Sequence, residues 1–364
     1  MKKLRLLISV FTILGLSTSI FAQDIEETLK QLFEDNATSY MQPMVTAFGT
    51  AMNSGLYKKA KASTGLIPPF GIDVGIVIGL AEVSEDDFYF DFKIPDNDYT
   101  INIPGAGDIA GFSVNLPYKD IYEATEVPTI AAPKPENDET VSVKPKSNAD
   151  IKTAIASKLS EDELQIFNLM NQNDLDNIIN MIPAIPFPEG AGLKYGLAPM
   201  LNANIRIPFG IELSVRGLPE FELPDDLGTF SMYGGGIRKD LPVPILDVTA
   251  GAMYQIMKIG DVFSATNINV HAEVGKSLGI PGFKISPYVG AGFDRTNVNL
   301  SYTFDPDGIA NNGDEQDMDF DFKGENGLRL TAGFSFQIPL LYIHAEVSEG
   351  VYKAASISAG FIFK

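Results

Sequence analysis

The sequence predicts an all-β fold, an antiparallel up-and-down transmembrane β-barrel of roughly 10–14 strands with 12 favoured. A plug-like N-terminal segment and a helical outer insertion accompany the barrel. Three observations carry this expectation: long runs with period-two alternation, proline turns at every second connection, and an export-type leader. The composition agrees, with 33 Gly, 13 Tyr and 24 Phe in a chain of 364 residues. Its longest apolar run, at residues 6–20, falls short of a spanning helix. Only every second residue of a membrane strand meets lipid, so such chains are weakly hydrophobic overall.

The leader comes first. Lys2, Lys3 and Arg5 precede an apolar run over residues 6–20, and Ala22 stands before Gln23-Asp24. That is the layout of a cleavable signal peptide, residues 1–22. The run is short of the ~20 residues a spanning helix needs. Cleavage removes three positive charges and takes the net charge from −20 to about −23. So acidic a chain lacks the Lys/Arg surplus that phosphate backbones require, which excludes nucleic acid as a partner. With no cysteine, disulfides, thiolate metal sites and a lipid-modified cysteine anchor are excluded.

Residues 23–64 read as a helical, plug-like segment, and residues 65–364 as the barrel. The first wall strand is Ile72, Val74, Ile76, Ile78 and Leu80 alternating with Asp73, Gly75, Val77 and Gly79, after the turn Ile67-Pro68-Pro69. Residues 88–94 and 99–114 are weaker strand candidates. Residues 117–190 form the insertion, a Pro- and charge-rich stretch followed by helix. Ser160 and Glu163 there form a capping box. From residue 193 onward nine strands follow. Leu197, Leu201 and Ile205 oppose Asn202, Asn204 and Arg206; Leu330, Phe334 and Phe336 oppose Arg329, Thr331 and Ser335; Ala355, Ile357, Ala359, Phe361 and Phe363 end the chain. Several runs reach 10–14 residues, whereas soluble strands average about 5–6. A soluble β-sandwich also alternates, and run length is what separates the two. An even strand count needs an odd number upstream of residue 193.

The turns order the strands. Ile207-Pro208-Phe209-Gly210, Leu241-Pro242-Val243-Pro244, Gly279-Ile280-Pro281-Gly282 and Ile338-Pro339-Leu340 fall between consecutive long strands. Proline has no N–H for a ladder and belongs at strand ends. Placing the C-terminus in the periplasm puts all four turns there, and the longer connections outside.

The last strand resembles the terminal assembly signal of outer-membrane barrels, although Lys364 follows the final Phe363. Tyr40-Met41-Gln42-Pro43, Phe48-Gly49 and Met52-Asn53-Ser54-Gly55-Leu56-Tyr57 resemble the start of an uncharacterised family of Gram-negative outer-membrane barrels. That family is similar in layout to long-chain fatty acid transporters. The resemblance implies residence in the cell outer membrane, contact with its lipid and with the barrel assembly machinery, and an N-terminal segment inside the barrel. It carries no functional residues.

The inward set supplies the candidate site: Arg206, Glu212, Arg216, Asp247, His271, Glu273, Asp294, Arg329, His344 and Glu346. Rings of charge in a lumen select solutes; the competing reading is a salt-bridged interior, with Arg206 and Glu212 pairing across the Pro208 turn. The repeated His-Ala-Glu-Val at residues 271–274 and 344–347 suggests a metal, but the strands lie three steps apart, roughly 14 Å. A calcium loop is the better cation candidate: Asp305, Asp307, Asn311 and Asp314 space oxygen ligands around a glycine. Its spacing departs from the EF-hand, and no other cofactor is indicated. A G-x-S-x-G elbow and a P-loop are absent and only two histidines occur, so the chain is read as a non-enzyme. The function expected is passive transport of a small or hydrophobic solute; the alternative is a structural or surface-binding barrel with a filled, non-conducting lumen. Glycines at residues 71, 75, 79, 234–236, 290 and 292 leave inner room that residues 24–64 could fill.

Overall fold

A computed structural model describes residues 24–57, 71–104, 111–135, 141–222, 229–260, 263–280, 282–304 and 316–363. The leader, the Ile67-Pro68-Pro69 turn and the Asp305–Asp314 loop lie outside the described residues. Ten strands close an antiparallel barrel: β1 (Gly71–Glu82), β2 (Tyr195–Ile207), β3 (Ile211–Glu222), β4 (Thr229–Leu241), β5 (Asp247–Ile259), β6 (Phe263–Gly275), β7 (Phe283–Phe304), β8 (Leu328–Gln337), β9 (Leu341–Glu349) and β10 (Lys353–Phe363). Each pairs with its sequence neighbour among these ten. The ring shuts where β1 meets β10, with Ile72 opposite Phe363 and Glu82 opposite Lys353.

The strand number corrects the favoured twelve. The sheet has twelve strands, but two of them are additions to the long β7. Leu278–Ile280 pairs with its start, and Gln316–Lys323 with its far half, where β7 runs on as a two-stranded spike. The nine strands after residue 193 are present, and β1 supplies the odd one upstream. The weaker candidates at 88–94 and 99–114 are not wall strands. Tyr89–Asp91 pairs with Glu126–Pro128, and Asp98–Ile103 with Phe112–Pro117, in separate two-stranded sheets. They are three to six residues long, too short for the ~9–11 a membrane strand needs.

Alternation does what the sequence suggests. β1 places Ile72, Val74, Ile76, Ile78 and Leu80 on the exposed outer face and buries Asp73, Val77 and Ala81 inside. The described proline turns all fall at one end, beside the chain's last strand; this is called the proline end. At two of them a non-glycine residue is left-handed, Phe209 at φ 69° and Ile245 at φ 75°. Such backbone costs on the order of 1–3 kcal/mol each.

The described residues between 83 and 194 form a head at the other end. Its own apolar core includes Ile101, Leu116, Ile121, Val127, Ile151 and Leu175. The helices α2 (Asn148–Lys158), α3 (Glu161–Leu169) and α4 (Gln172–Ile179) cover it. The α3 capping box forms as the sequence suggests, with the Glu163 side chain accepting from the Ser160 amide at 2.9 Å.

The helix α1 (Asp24–Met52) enters the lumen with its lower part. Its upper part is held by the head: Asn36 exchanges two 2.9 Å hydrogen bonds with the Lys93 backbone, and the Tyr40 hydroxyl donates to the Glu189 carbonyl at 2.8 Å. Below, Asn326 at the foot of the spike donates to the Thr46 carbonyl and the Thr50 hydroxyl. Thr46, Thr50 and Ser54 each return a hydroxyl to the carbonyl four residues back, which hides their polarity. The helix lies directly on the wall where glycines permit it. A Cβ on Gly79 would sit 2.2 Å from the Ala51 carbonyl oxygen, and one on Gly196 would sit 2.5 Å from the Ala47 carbonyl carbon.

Candidate functional site

The lower end of α1 meets the wall at mid-lumen. A helix C-terminus leaves carbonyls without intrahelical partners and carries partial negative charge. Here that end faces two arginines. Arg216 on β3 donates to the Met52 and Ser54 carbonyls at 3.3 and 2.8 Å, and Arg329 on β8 donates to the Asn53 carbonyl at 2.6 Å. Gln255 on β5 adds a bond to the Met52 carbonyl at 3.2 Å, and Asn267 on β6 one to the Gly49 carbonyl at 3.0 Å. Gly55 then turns the chain at φ 67°, and its amide donates to Glu346 on β9 at 2.5 Å. The helix end is therefore bound from five strands, through main-chain atoms, by residues that are all buried.

Past Gly55 the chain drops an aromatic into the remaining space. The Tyr57 ring stands 4.7 Å from His271 and 6.2 Å from Tyr288, and Tyr288 stacks on His344 at 5.8 Å. The Tyr288 hydroxyl lies within hydrogen-bond distance of the Tyr57 carbonyl, His344 Nε2 and Glu346. Gly290 and Gly292 leave the Tyr57 ring its seat, since a Cβ on Gly292 would fall 2.5 Å from the hydroxyl.

Toward the proline end an ionic belt runs along the inner wall from β1 to β6. Asp73 (β1) pairs with Arg206 (β2), Arg206 with Glu212 (β3) at 3.3 Å, Glu212 with Arg238 (β4) at 2.8 Å, and Arg238 with Glu273 (β6). The last pair spans β5, where Gly251 makes room; a Cβ there would lie 2.6 Å from Arg238 Cγ. Alternating charges, each with a partner, satisfy the desolvation that an isolated buried ion could not bear. Between belt and plug, a cavity of about 10 Å³ bounded by Leu56, Ser214, Arg238, Met253 and His271 remains. That is room for about one water.

The sequence-derived candidates divide as follows. Arg206, Glu212 and Glu273 join the belt. Arg216, Arg329 and Glu346 hold the plug. Asp294 pairs with Arg329 at 3.2 Å, and His271 and His344 flank the aromatic row. Asp247, in phase with the buried Thr249, is half-buried at the start of β5 and accepts from the Ser277 amide at 2.9 Å. It caps a turn at the rim. Asp73 and Arg238 were missed although both sit at inward positions of alternating runs. Tyr57, Asn53 and Gly55 were missed because a wall pattern says nothing of what fills the wall. The two His-Ala-Glu-Val segments serve different partners. Among the described residues no group of three or more His, Cys, Asp or Glu is placed to hold a metal.

One protein family, described as "Family of unknown function (DUF6588)", matches residues 1–363 of the chain. No curated protein matches it.

Proposed function

The chain belongs to the family of unknown function DUF6588, and from that premise we propose that it is an outer-membrane barrel with a closed lumen, which presents its head at the cell surface. The seat of α1 carries the reading. Carbonyls 49 and 52–54, together with the Gly55 amide, are bound by five wall strands at mid-lumen. The belt beneath adds a row of paired charges on the inner wall.

The exterior supports the membrane setting. Ile76, Val215, Val347 and Ile357 are each 55–62% exposed on the outer face, and a soluble protein rarely shows so broad an apolar surface. A strand of 12 residues such as β1 spans roughly 40 Å at ~3.3 Å per residue. Tilted by about 40°, it covers an apolar band of about 25 Å. The head would then lie outside the cell and the proline end in the periplasm.

The test is conductance in planar bilayers. The full mature chain is expected to stay silent and a chain lacking residues 24–57 to open steady channels. Steady current through the intact chain overturns the closed reading.

A second reading, passive passage of a small or hydrophobic solute, is favoured by one observation. The carbonyls at the end of α1 are held by hydrogen bonds, which water can replace if α1 withdraws. A plug held inside a barrel suits it. Against lateral release of a hydrophobic cargo stands the wall itself, in which every adjacent strand pair is bonded. Liposome swelling with small sugars separates the two readings, since only the second predicts solute entry through the intact chain.

A further inference from the structure

The proline end is unusual for turns that would face water. Its described turns carry apolar side chains at their tips: Phe209 is 86% exposed, Ile245 83%, Ile280 70% and Leu340 63%, and Phe363 at the end of β10 is 53% exposed. Surface turns are normally Gly, Asn, Asp and Ser. The turn at residues 349–353 at the head end carries Glu349, Gly350 and Lys353 beside Val351. Residues 241–246, Leu-Pro-Val-Pro-Ile-Leu, depart from that rule.

The backbone of these turns is also arranged to need little water. Pro208, Pro242, Pro244 and Pro339 carry no N–H at all. The amide of Val243 donates to the Leu241 carbonyl at 2.9 Å; Ile338 and Leu341 bond each other; the Ile362 amide reaches the Leu340 carbonyl at 2.9 Å. The Phe209 carbonyl accepts from the Lys239 ammonium. At the same turn tips, Phe209 and Ile245 hold left-handed backbone with their side chains outward. Apolar tips, missing donors and self-satisfied amides are what a backbone needs where water is scarce.

We infer that the proline-end rim is a lipid-contact surface, seated at the headgroup–acyl boundary of a phospholipid layer. The inference rests on the outer-membrane reading. The occupant is lipid because the tips continue the apolar exterior without a break: Leu241 and Leu246 flank the Ile245 tip, Leu341 follows Leu340, Phe361 precedes Phe363, and all four are exposed. Among the described residues the apolar tips recur at four turns and at the end of β10, whereas a protein partner would be met by a patch on one side. The turns anchor the barrel against vertical movement, as interfacial side chains do for other membrane proteins.

The chain contains no tryptophan, so each substitution is its own reporter. Phe209→Trp, Ile245→Trp and Leu340→Trp are placed singly in the full mature chain and reconstituted in phosphatidylcholine–phosphatidylglycerol vesicles; Ile76→Trp at mid-wall is the control. The rim tryptophans are expected to emit to the blue of the unfolded chain and to resist aqueous iodide. Bromines near the headgroup should quench them roughly two-fold more than bromines at the chain end, as befits groups about 5–10 Å into the interface. The control should show the reverse depth order. Rim tryptophans open to iodide overturn the inference, as do rim tryptophans shielded from iodide yet untouched by brominated lipid, the signature of a second protein copy over the rim. An unquenched Ile76→Trp would instead sink the membrane reading itself.

Discussion

Arg329 makes the case for how single residues hold this site. It is 2% exposed, donates to the Asn53 carbonyl, pairs with Asp294 and lies 5.8 Å from the Tyr57 ring. Arg329→Met leaves Asp294 buried without its ion partner, which costs on the order of 3–5 kcal/mol. The urea midpoint of the folded barrel should fall, and Asp294→Asn added to Arg329→Met should recover part of the loss. If the double variant is no better than the single one, the pair is not coupled as described. Gly79→Val attacks the same seat from the wall. Its Cβ would meet the Ala51 carbonyl oxygen at 2.2 Å, so the helix must lift. Flickering current where the parent is silent is the expected reading in a bilayer. At this scale the sequence was informative about direction and silent about partnership. Alternation faces Arg216, Arg329 and Glu346 inward, and turn proximity pairs Arg206 with Glu212. That Arg216 and Arg329 would serve a helix terminus could not be read, because the terminus comes from outside the alternating wall.

Among the elements, α3 gives a prediction that depends on pH. The Ser160 backbone amide, and then its hydroxyl, hold the Glu163 carboxyl below its ordinary range; Lys152 and then Asn148 do the same for Asp176 on α4. Both folded values are depressed. Their support is present above the unfolded values and is lost as pH falls through the folded ones. The head helices should therefore loosen at acid pH before the wall does, seen as earlier amide exchange in residues 148–179 than in β1. Ser160→Ala should cost about 1 kcal/mol of helix stability at neutral pH. The capping box was legible because it is a local signal. The strand candidates at 88–94 and 99–114 misled because alternation is shared by a membrane strand and a short soluble hairpin. Length decides between them, and their runs end within six residues.

For the molecule as a whole, the closed ladder predicts that the mature chain runs faster on a gel unheated than boiled, and that deleting residues 24–57 preserves this shift. A barrel that loses the shift with the plug would show that the wall depends on its filling. The fold class was readable because an alternating wall repeats one rule many times, and the proline turns fix which ends belong together. The favoured count of twelve failed because β7 and its neighbour run past the wall as a spike, and periodicity does not register where a strand leaves a barrel. One arrangement sets the order of assembly. The helix inside is made before the first wall strand, and that strand is sealed only by the last. Since a helix with its side chains is about 10–12 Å thick, it is more readily wrapped than inserted. The helix made ahead of the wall must thus wait until the final eleven-residue strand arrives to shut the seam around it.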